Sequence, residues 1–334
     1  MPTALAVFAA AAGAILLVGP RMARTADGLA NATGMGGAFF GVVFLSLATD
    51  LPEVALTPTA VLSGSPRIAI GGLLGSATAQ LVLIAVMDIT FRRRRLYGRV
   101  RLLSSLGQCA LMLSVLAVPL VVAAGDPAVG GIGAGAVLLL VVYLGALMAI
   151  RRIGREPQPA SDPDVDTEAE NVSDSLAALW LRFGAFALVL TATGIALEKT
   201  TETIGSGIGI GQTAAGALLA GVATSLPELV TALSAARAGA VELAVGDIVG
   251  SSALDVALLS LADVFYTDGS VFDLLGDPEF TLIGVSLALT SLLVVGLIRR
   301  EVAGLRRAGV ESYLMLVVYA IGAAILIAAS VTGG

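Results

Sequence analysis

Apolar runs of bilayer length alternate with short polar segments along the whole chain. Crossing ~30 Å of hydrocarbon takes about 20 helical residues. Runs of that order lie near 3–20, 36–62, 68–90, 102–124, 128–150, 176–197, 204–236, 240–264, 279–298 and 312–331. The pattern predicts an all-α integral membrane protein with ten transmembrane helices. Composition agrees: of 334 residues, 57% are hydrophobic and only 13% charged, where a soluble domain carries about 25%. The first run, Leu5–Val18, has no basic residue before it and no evident processing site, so it reads as a span, not a removed signal peptide.

The net charge of −6 is less informative than where the charges fall. Segments after odd-numbered runs hold Arg21 and Arg24; Arg92–Arg95, Arg99 and Arg101; Arg151, Arg152 and Arg155; Arg237; and Arg299, Arg300, Arg306 and Arg307. These are sixteen of the nineteen Lys and Arg. Segments after even runs hold only Arg67 and Lys199, and Arg182 opens the sixth run. The positive-inside rule puts both termini outside and the 151–175 segment in the cytoplasm, for a multi-pass protein of the cell (inner) membrane.

With one cysteine, Cys109, and no histidine, an internal disulfide, a Cys/His metal site and a histidine-based triad are all excluded. The one long polar stretch, 156–175, alternates Asp162, Asp164, Asp166, Glu168 and Glu170. As a calcium loop starting at Asp162 it would need Gly sixth and an acid twelfth. Thr167 and Ser173 stand there, which favours a solvated linker.

The chain repeats itself at an offset of 175 residues. Between 44–88 and 219–263 the offset pairs Ala48/Ala223, Thr49/Thr224, Leu51/Leu226, Pro52/Pro227, Glu53/Glu228, Gly64/Gly239, Gly71/Gly246, Gly75/Gly250, Ser76/Ser251, Leu83/Leu258 and Asp88/Asp263. This divides the chain into a first five-helix repeat (1–152), an acidic cytoplasmic linker (153–175) and a second repeat (176–334). Five is odd, so the second half enters from the opposite face. Inverted repeats of this kind typify secondary transporters, whose sites lie near the midplane between the halves. The second and seventh runs, at 27 and 33 residues, are overlong, glycine-rich and carry a late proline. They are expected to be broken helices.

A carboxylate at the bilayer centre costs at least ~2.5–3.5 kcal/mol. Glu53 and Glu228 stand at matched positions, and no Lys or Arg lies deep in a span to pair with them. A bound cation, protons, or both must offset their charge. Asp50 lies three residues before Glu53, where the other copy has Ser225. Ser76 with Gln80, and Ser251 with Asp255, are four apart and share helical faces. Hydroxyls, carboxylates, an amide and freed carbonyls make an all-oxygen set suited to Ca²⁺ and Na⁺. Asp247 is expected to be a supporting group or to face the cytoplasmic vestibule, and Asp88 and Asp263, near span ends, to be solvated.

These stretches resemble the cation/Ca²⁺ exchanger superfamily, in particular the prokaryotic sodium/calcium exchangers. Its two alpha repeats read G-T-S-[LI]-P-E and, some twenty residues on, G-N-x-x-G-S-N-x-x-[ND]. Ala223–Glu228 with Gly246–Asp255 fits well, and Glu53 to Ser76 and Glu228 to Ser251 are both 23 residues. The resemblance implies Glu53 and Glu228 as central Ca²⁺ ligands, completed by Asp255 and Gln80. It implies backbone carbonyls from Thr49 and Thr224, and Na⁺ sites lined by Ser76, Ser225 and Ser251. Asp50, Gln80, Ala77 and Ser252 depart from the motif, as do Gly72 and Asp247 at its G-N, so the coupling ion is open. The expected activity is antiport of Ca²⁺ against Na⁺ or H⁺ by alternating access. No cofactor beyond the transported ions is expected, and no partner beyond the lipid bilayer and inorganic cations, with neither nucleic acid nor an obligate protein among them. A proton-coupled exchanger of another divalent or monovalent cation is the alternative; a cation channel and an intramembrane aspartyl protease prompted by Gly246-Asp247 are remote ones.

Overall fold

The structure, a computed structural model, describes residues 2–90, 100–123, 125–129, 132–154, 175–207, 221–299 and 309–332. The acidic alternation Asp162–Glu170, the arginine run Arg92–Arg95 and the early part of the seventh predicted span (208–220) lie outside the described residues.

The apolar runs fold as helices: α1 (Pro2–Thr33), α2 (Gly37–Thr49), α3 (Leu51–Leu62), α4 (Pro66–Thr90), α5 (Leu102–Val121), α6 (Ala134–Ile153), α7 (Leu176–Gly207), α8 (Leu226–Arg237), α9 (Val241–Phe265), α10 (Asp277–Arg299) and α11 (Val310–Thr332). Eight of them are long and apolar enough to cross a membrane, and α2 with α3, bent by 50° where they meet, makes a ninth candidate. The predicted span 204–236 is described only in part, as the end of α7 and as a helical turn over 221–224 leading into α8. One small exception to all-α structure stands before α6: Ala128–Val129 pairs antiparallel with Ile132–Gly133.

Two element boundaries recur residue for residue at the offset of 175. The limits of α3 plus 175 are those of α8, and the limits of α4 plus 175 are those of α9. The outermost pair, α1 and α7, are 32 residues each and lie along one another. Both exceed expectation. The segment 21–33, read from its polar residues as a loop, continues α1, because Met22, Ala23, Ala26, Leu29 and Ala30 form a stripe that is buried. Arg21 and Arg24 are thus helical.

Burial grades from the middle outward. In α4 and α9, 78% of the most apolar 18-residue window is inside the protein, against 17–28% in α1, α6, α7 and α11. The inner pair is hydrophobic all round and surrounded by protein. The outer helices turn Leu16, Leu17, Leu181, Leu188 and Ile325 outward, as lipid contact requires. Small residues let the backbones meet: a Cβ on Gly250 of α9 would lie 2.5 Å from the Val42 Cα of α2. Val42 sits in a π-helical stretch of α2, Gly41–Leu45.

Contacts between the halves come in exchanged pairs. Gly19 of α1 abuts Val230 of α8, and its mate Gly194 of α7 abuts Pro52 of α3. Asp88, at the end of α4, accepts from Gly309 N–H (3.1 Å) and the Ser312 hydroxyl (2.7 Å) at the start of α11. Its mate Asp263, at the end of α9, accepts from Gly133 N–H (2.7 Å) at the start of α6 and from Val271 N–H (2.8 Å). Both aspartates are buried, correcting the expectation of solvated side chains. Each instead satisfies unpaired N–H groups at the positive end of a helix from the other half.

Candidate functional site

The break after α2 is local chemistry. Pro52 has no N–H for the carbonyl four residues back, that of Ala48, and Pro227 none for that of Ala223. The residue two before each proline takes the same bridge conformation: Asp50 at φ −88°, ψ 5° and Ser225 at φ −76°, ψ 5°. Each proline therefore opens a new helix whose first turn carries the glutamate, Glu53 in α3 and Glu228 in α8. The first turn's free N–H groups favour negative charge there.

The inner helices supply the rest. Gln80 and Asp255 are each the fifteenth residue of 25 in α4 and α9, near the middle of the bilayer-length helix. Hydroxyls close the seam between the halves. Thr49 Oγ1 lies 3.3 Å from Ser251 Oγ, and Thr224 Oγ1 lies 3.1 Å from Ser76 Oγ. These two contacts exchange under the offset of 175.

The acids converge on this seam. Asp50 is within electrostatic reach of Asp255, Glu228 and Glu53, and Glu53 of Asp255 and Glu228. Gln80 adjoins Asp255. All of them are buried. Both carboxylate oxygens of Asp50, Glu228 and Asp255, together with Glu53 Oε2 and Gln80 Oε1, meet no hydrogen-bond donor of good geometry. The ion pairs Arg101–Glu242 (3.4 Å) and Arg299–Glu311 (2.7 Å) sit at helix ends and do not reach this cluster. Among the described residues, no group of three or more Asp, Glu, Cys or His closes on one point tightly enough to hold a metal alone. A cation here must also draw on hydroxyl, amide and main-chain oxygens. Leaving such charges buried and unpaired would cost several kcal/mol each, on the order found for desolvated ions.

Nine of the ten residues expected from sequence thus meet at the seam: Thr49, Asp50, Glu53, Ser76, Gln80, Thr224, Glu228, Ser251 and Asp255. Ser225, next to Thr224, is also buried, and its hydroxyl donates to the carbonyl of Gly221 at 2.6 Å. Asp247 is buried one helical stretch away. Its Oδ2 accepts from Thr231 at 2.7 Å and its Oδ1 is unpaired.

Sequence reasoning missed three neighbours. Tyr143 of α6 lies within electrostatic reach of Asp50. Gln108 of α5 donates to the Ala38 carbonyl of α2 at 3.3 Å and leaves its own oxygen unpaired. Glu198 of α7 faces Glu53 across a cavity of about 60 Å³. Glu198 stands just past the sixth apolar run, beside Lys199, where an acid reads as a helix end, and Tyr143 and Gln108 carried no signal.

The family model described as sodium/calcium exchanger protein matches residues 3–151 and 176–328. The inner membrane protein YrbG of Escherichia coli (strain K12) is 25% identical over 286 residues, covering 81% of this chain and 85% of the relative. The putative antiporter CaxA of Alkalimonas amylolytica is 27% identical over 306 residues, 86% of this chain and 90% of the relative. Among solved structures, the sodium-calcium exchanger NCX_Mj soaked with Na⁺ and Ca²⁺ superposes with a TM-score of 0.72 at 17% identity, over 97% of this chain and 98% of the other.

Proposed function

The chain belongs to the sodium/calcium exchanger protein family, and from that membership we propose that it exchanges Ca²⁺ for Na⁺ or H⁺ by alternating access. It is a multi-pass membrane transporter of inorganic cations, not an enzyme. The proposed architecture is ten spans in two inverted halves, 1–152 and 176–334, joined by a cytoplasmic linker, with both termini outside and the protein in the inner membrane. Recurring element boundaries and exchanged contacts across the halves support the pseudo-two-fold axis. Glu53, Glu228, Asp255 and Gln80 would take Ca²⁺ as cargo. Thr49, Thr224, Ser76, Ser225, Ser251 and Asp50 would complete the coordination or serve the counter-ion.

The observation that carries this reading is the set of eight unpaired oxygens on Asp50, Glu53, Gln80, Glu228 and Asp255, buried at mid-helix depth; among the described residues, the charges that act on these acids are other carboxylates. Such a site is stable when a cation or protons fill it. Emptied and charged, it cannot be carried across a low-dielectric barrier, so binding on one side must precede release on the other, which enforces exchange over leak. Asp50 favours a proton-coupled variant of the same scheme: its carboxyl adjoins that of Glu228 where the other half has a hydroxyl.

The test is ⁴⁵Ca²⁺ uptake into proteoliposomes, first under an imposed Na⁺ gradient and then under an imposed pH gradient. Glu53→Gln and Glu228→Gln should each lower uptake by on the order of 100-fold, as expected for removing one charged partner from a desolvated site. Both variants should elute as monodisperse protein. Wild-type rates in either would remove that glutamate from the transport site.

A further inference from the structure

The cavity beside Glu53 has a lining that the central site does not account for. It is bounded by Glu53, Thr57, Gly72, Ser76, Glu198 and Thr224, and its volume of about 60 Å³ admits about four water-sized guests. Glu53 is 9% exposed, lines this space and leaves its Oε2 unpaired. Glu198 brings in α7, an element outside both motif stretches. Gly194 seats α7 on the Pro52 ring, and one turn further along the same face Glu198 enters the cavity. After another turn, Glu202 is exposed. Glu202 and Glu198 interact, as do Glu198 and Glu53, and the Lys199 ammonium offsets part of the charge on Glu198. Three carboxyls thus step from the surface to the seam. Gly72 also lines the cavity, and its Cβ position has nothing within 4 Å. Its mate in the other half is Asp247, already engaged with Thr231.

We propose that Glu198 and Glu53 together form a staging site for a hard divalent cation, on the face where α3 ends and α4 begins, from which the ion passes to the central site. In the orientation proposed above, that face is external. The proposal rests on the exchanger reading and adds a second site to it. Two carboxylates flanking a cavity of this size offer the oxygen ligands Ca²⁺ takes, with Thr57, Ser76 and Thr224 as neutral donors and water filling the remainder. Walls of low dielectric concentrate the field of the two acids and raise the local cation concentration. Because Glu198 lies on α7 and not on the inner helices, it serves arrival from one side only.

The experiment measures Ca²⁺ transport from each side separately, in vesicles of defined orientation. Glu198→Gln should raise the external Ca²⁺ concentration giving half-maximal rate by about tenfold, within the range expected of electrostatic focusing. It should leave the cytoplasmic half-maximal concentration and the maximal rate within about twofold of wild type, since a residue outside the central site adds on-rate and not turnover. Glu198→Asp should recover part of the loss. An unchanged external value, or an equal change on both sides, overturns the proposal. A second readout needs no transport. Gly72→Cys in a Cys109→Ala background should react with a thiol reagent applied externally, and Ca²⁺ should slow that reaction. Adding Glu198→Gln should raise the protecting Ca²⁺ concentration about tenfold; protection at unchanged concentrations overturns the staging site. Absence of Ca²⁺ transport by the wild-type protein from either side would instead overturn the exchanger reading, and the labelling would still report on the cavity.

Discussion

Asp50 shows how one side chain sets what the site can couple to. Its backbone matches that of Ser225 within about 12° in φ, so exchanging carboxyl for hydroxyl changes charge without changing the break. With Asp50 present, the cluster carries one more negative charge to be offset per cycle, and a proton is the smallest way to do it. Asp50→Ser should therefore lower the Ca²⁺ accumulation driven by a pH gradient by about tenfold per pH unit, the work of one proton. Accumulation driven by Na⁺ should stay within about twofold, as the remaining ligands are intact. Unchanged ion dependence in ⁴⁵Ca²⁺ flux would take Asp50 out of the coupling step. At this scale the motif residues were legible because an acid in a proline-broken apolar run has few structural excuses. Glu198 was not, because nothing in the linear order says that α7 passes over Glu53. Asp88 and Asp263 misled for the opposite reason: a carboxylate near a span end usually meets water, and here each meets the N-terminus of a helix from the other half.

At the scale of elements, α1 packs on α8 and α7 on α3, with small residues at the crossings. Gly194 meets the rigid Pro52 ring, with its Cβ position 2.5 Å from Pro52 Cγ. A methyl there has nowhere to go, and overpacking of this kind costs about 1–3 kcal/mol. Gly194→Ala should lower the thermal unfolding midpoint in detergent and slow exchange. Gly184→Ala, ten residues earlier on the same helix and with nothing within 4 Å, should do neither. Equal midpoints for the two variants would deny the tight crossing. The apolar helices and the proline breaks could be read from run lengths and glycine spacing. The true length of α1 could not, since hydropathy sees Arg21 and Arg24 as a loop. Only the buried stripe from Met22 to Ala30 keeps that segment helical, and its partner surface on α7 is remote in sequence.

Across the whole molecule, the halves are held together by the exchange of contacts: hydroxyl pairs at the centre, glycine crossings at the flanks and aspartate caps toward the helix ends. Each cap joins the inner helix of one half to the last helix of the other. The two caps stand at matched positions of the repeat. Asp88 receives the N–H of Gly309 and the hydroxyl of Ser312 through Oδ2. Asp263 receives the N–H groups of Gly133 and Val271 and also meets Ser270 Oγ at 2.9 Å, which in turn contacts Asp126 at 2.7 Å. Truncating a buried acceptor leaves each former donor unsatisfied, at about 1–3 kcal/mol apiece. Asp88→Ala and Asp263→Ala should therefore each lower the unfolding free energy in mild detergent by at least about 1–3 kcal/mol. Adding Ca²⁺ should raise the midpoint of both variants, because neither aspartate lies at the seam where the cation is proposed to bind. An unchanged unfolding free energy in either variant would mean that its cap adds nothing to the assembly. A loss of the Ca²⁺-dependent rise in either variant would mean that the caps shape the central site, and that these repeated contacts govern binding as well as assembly.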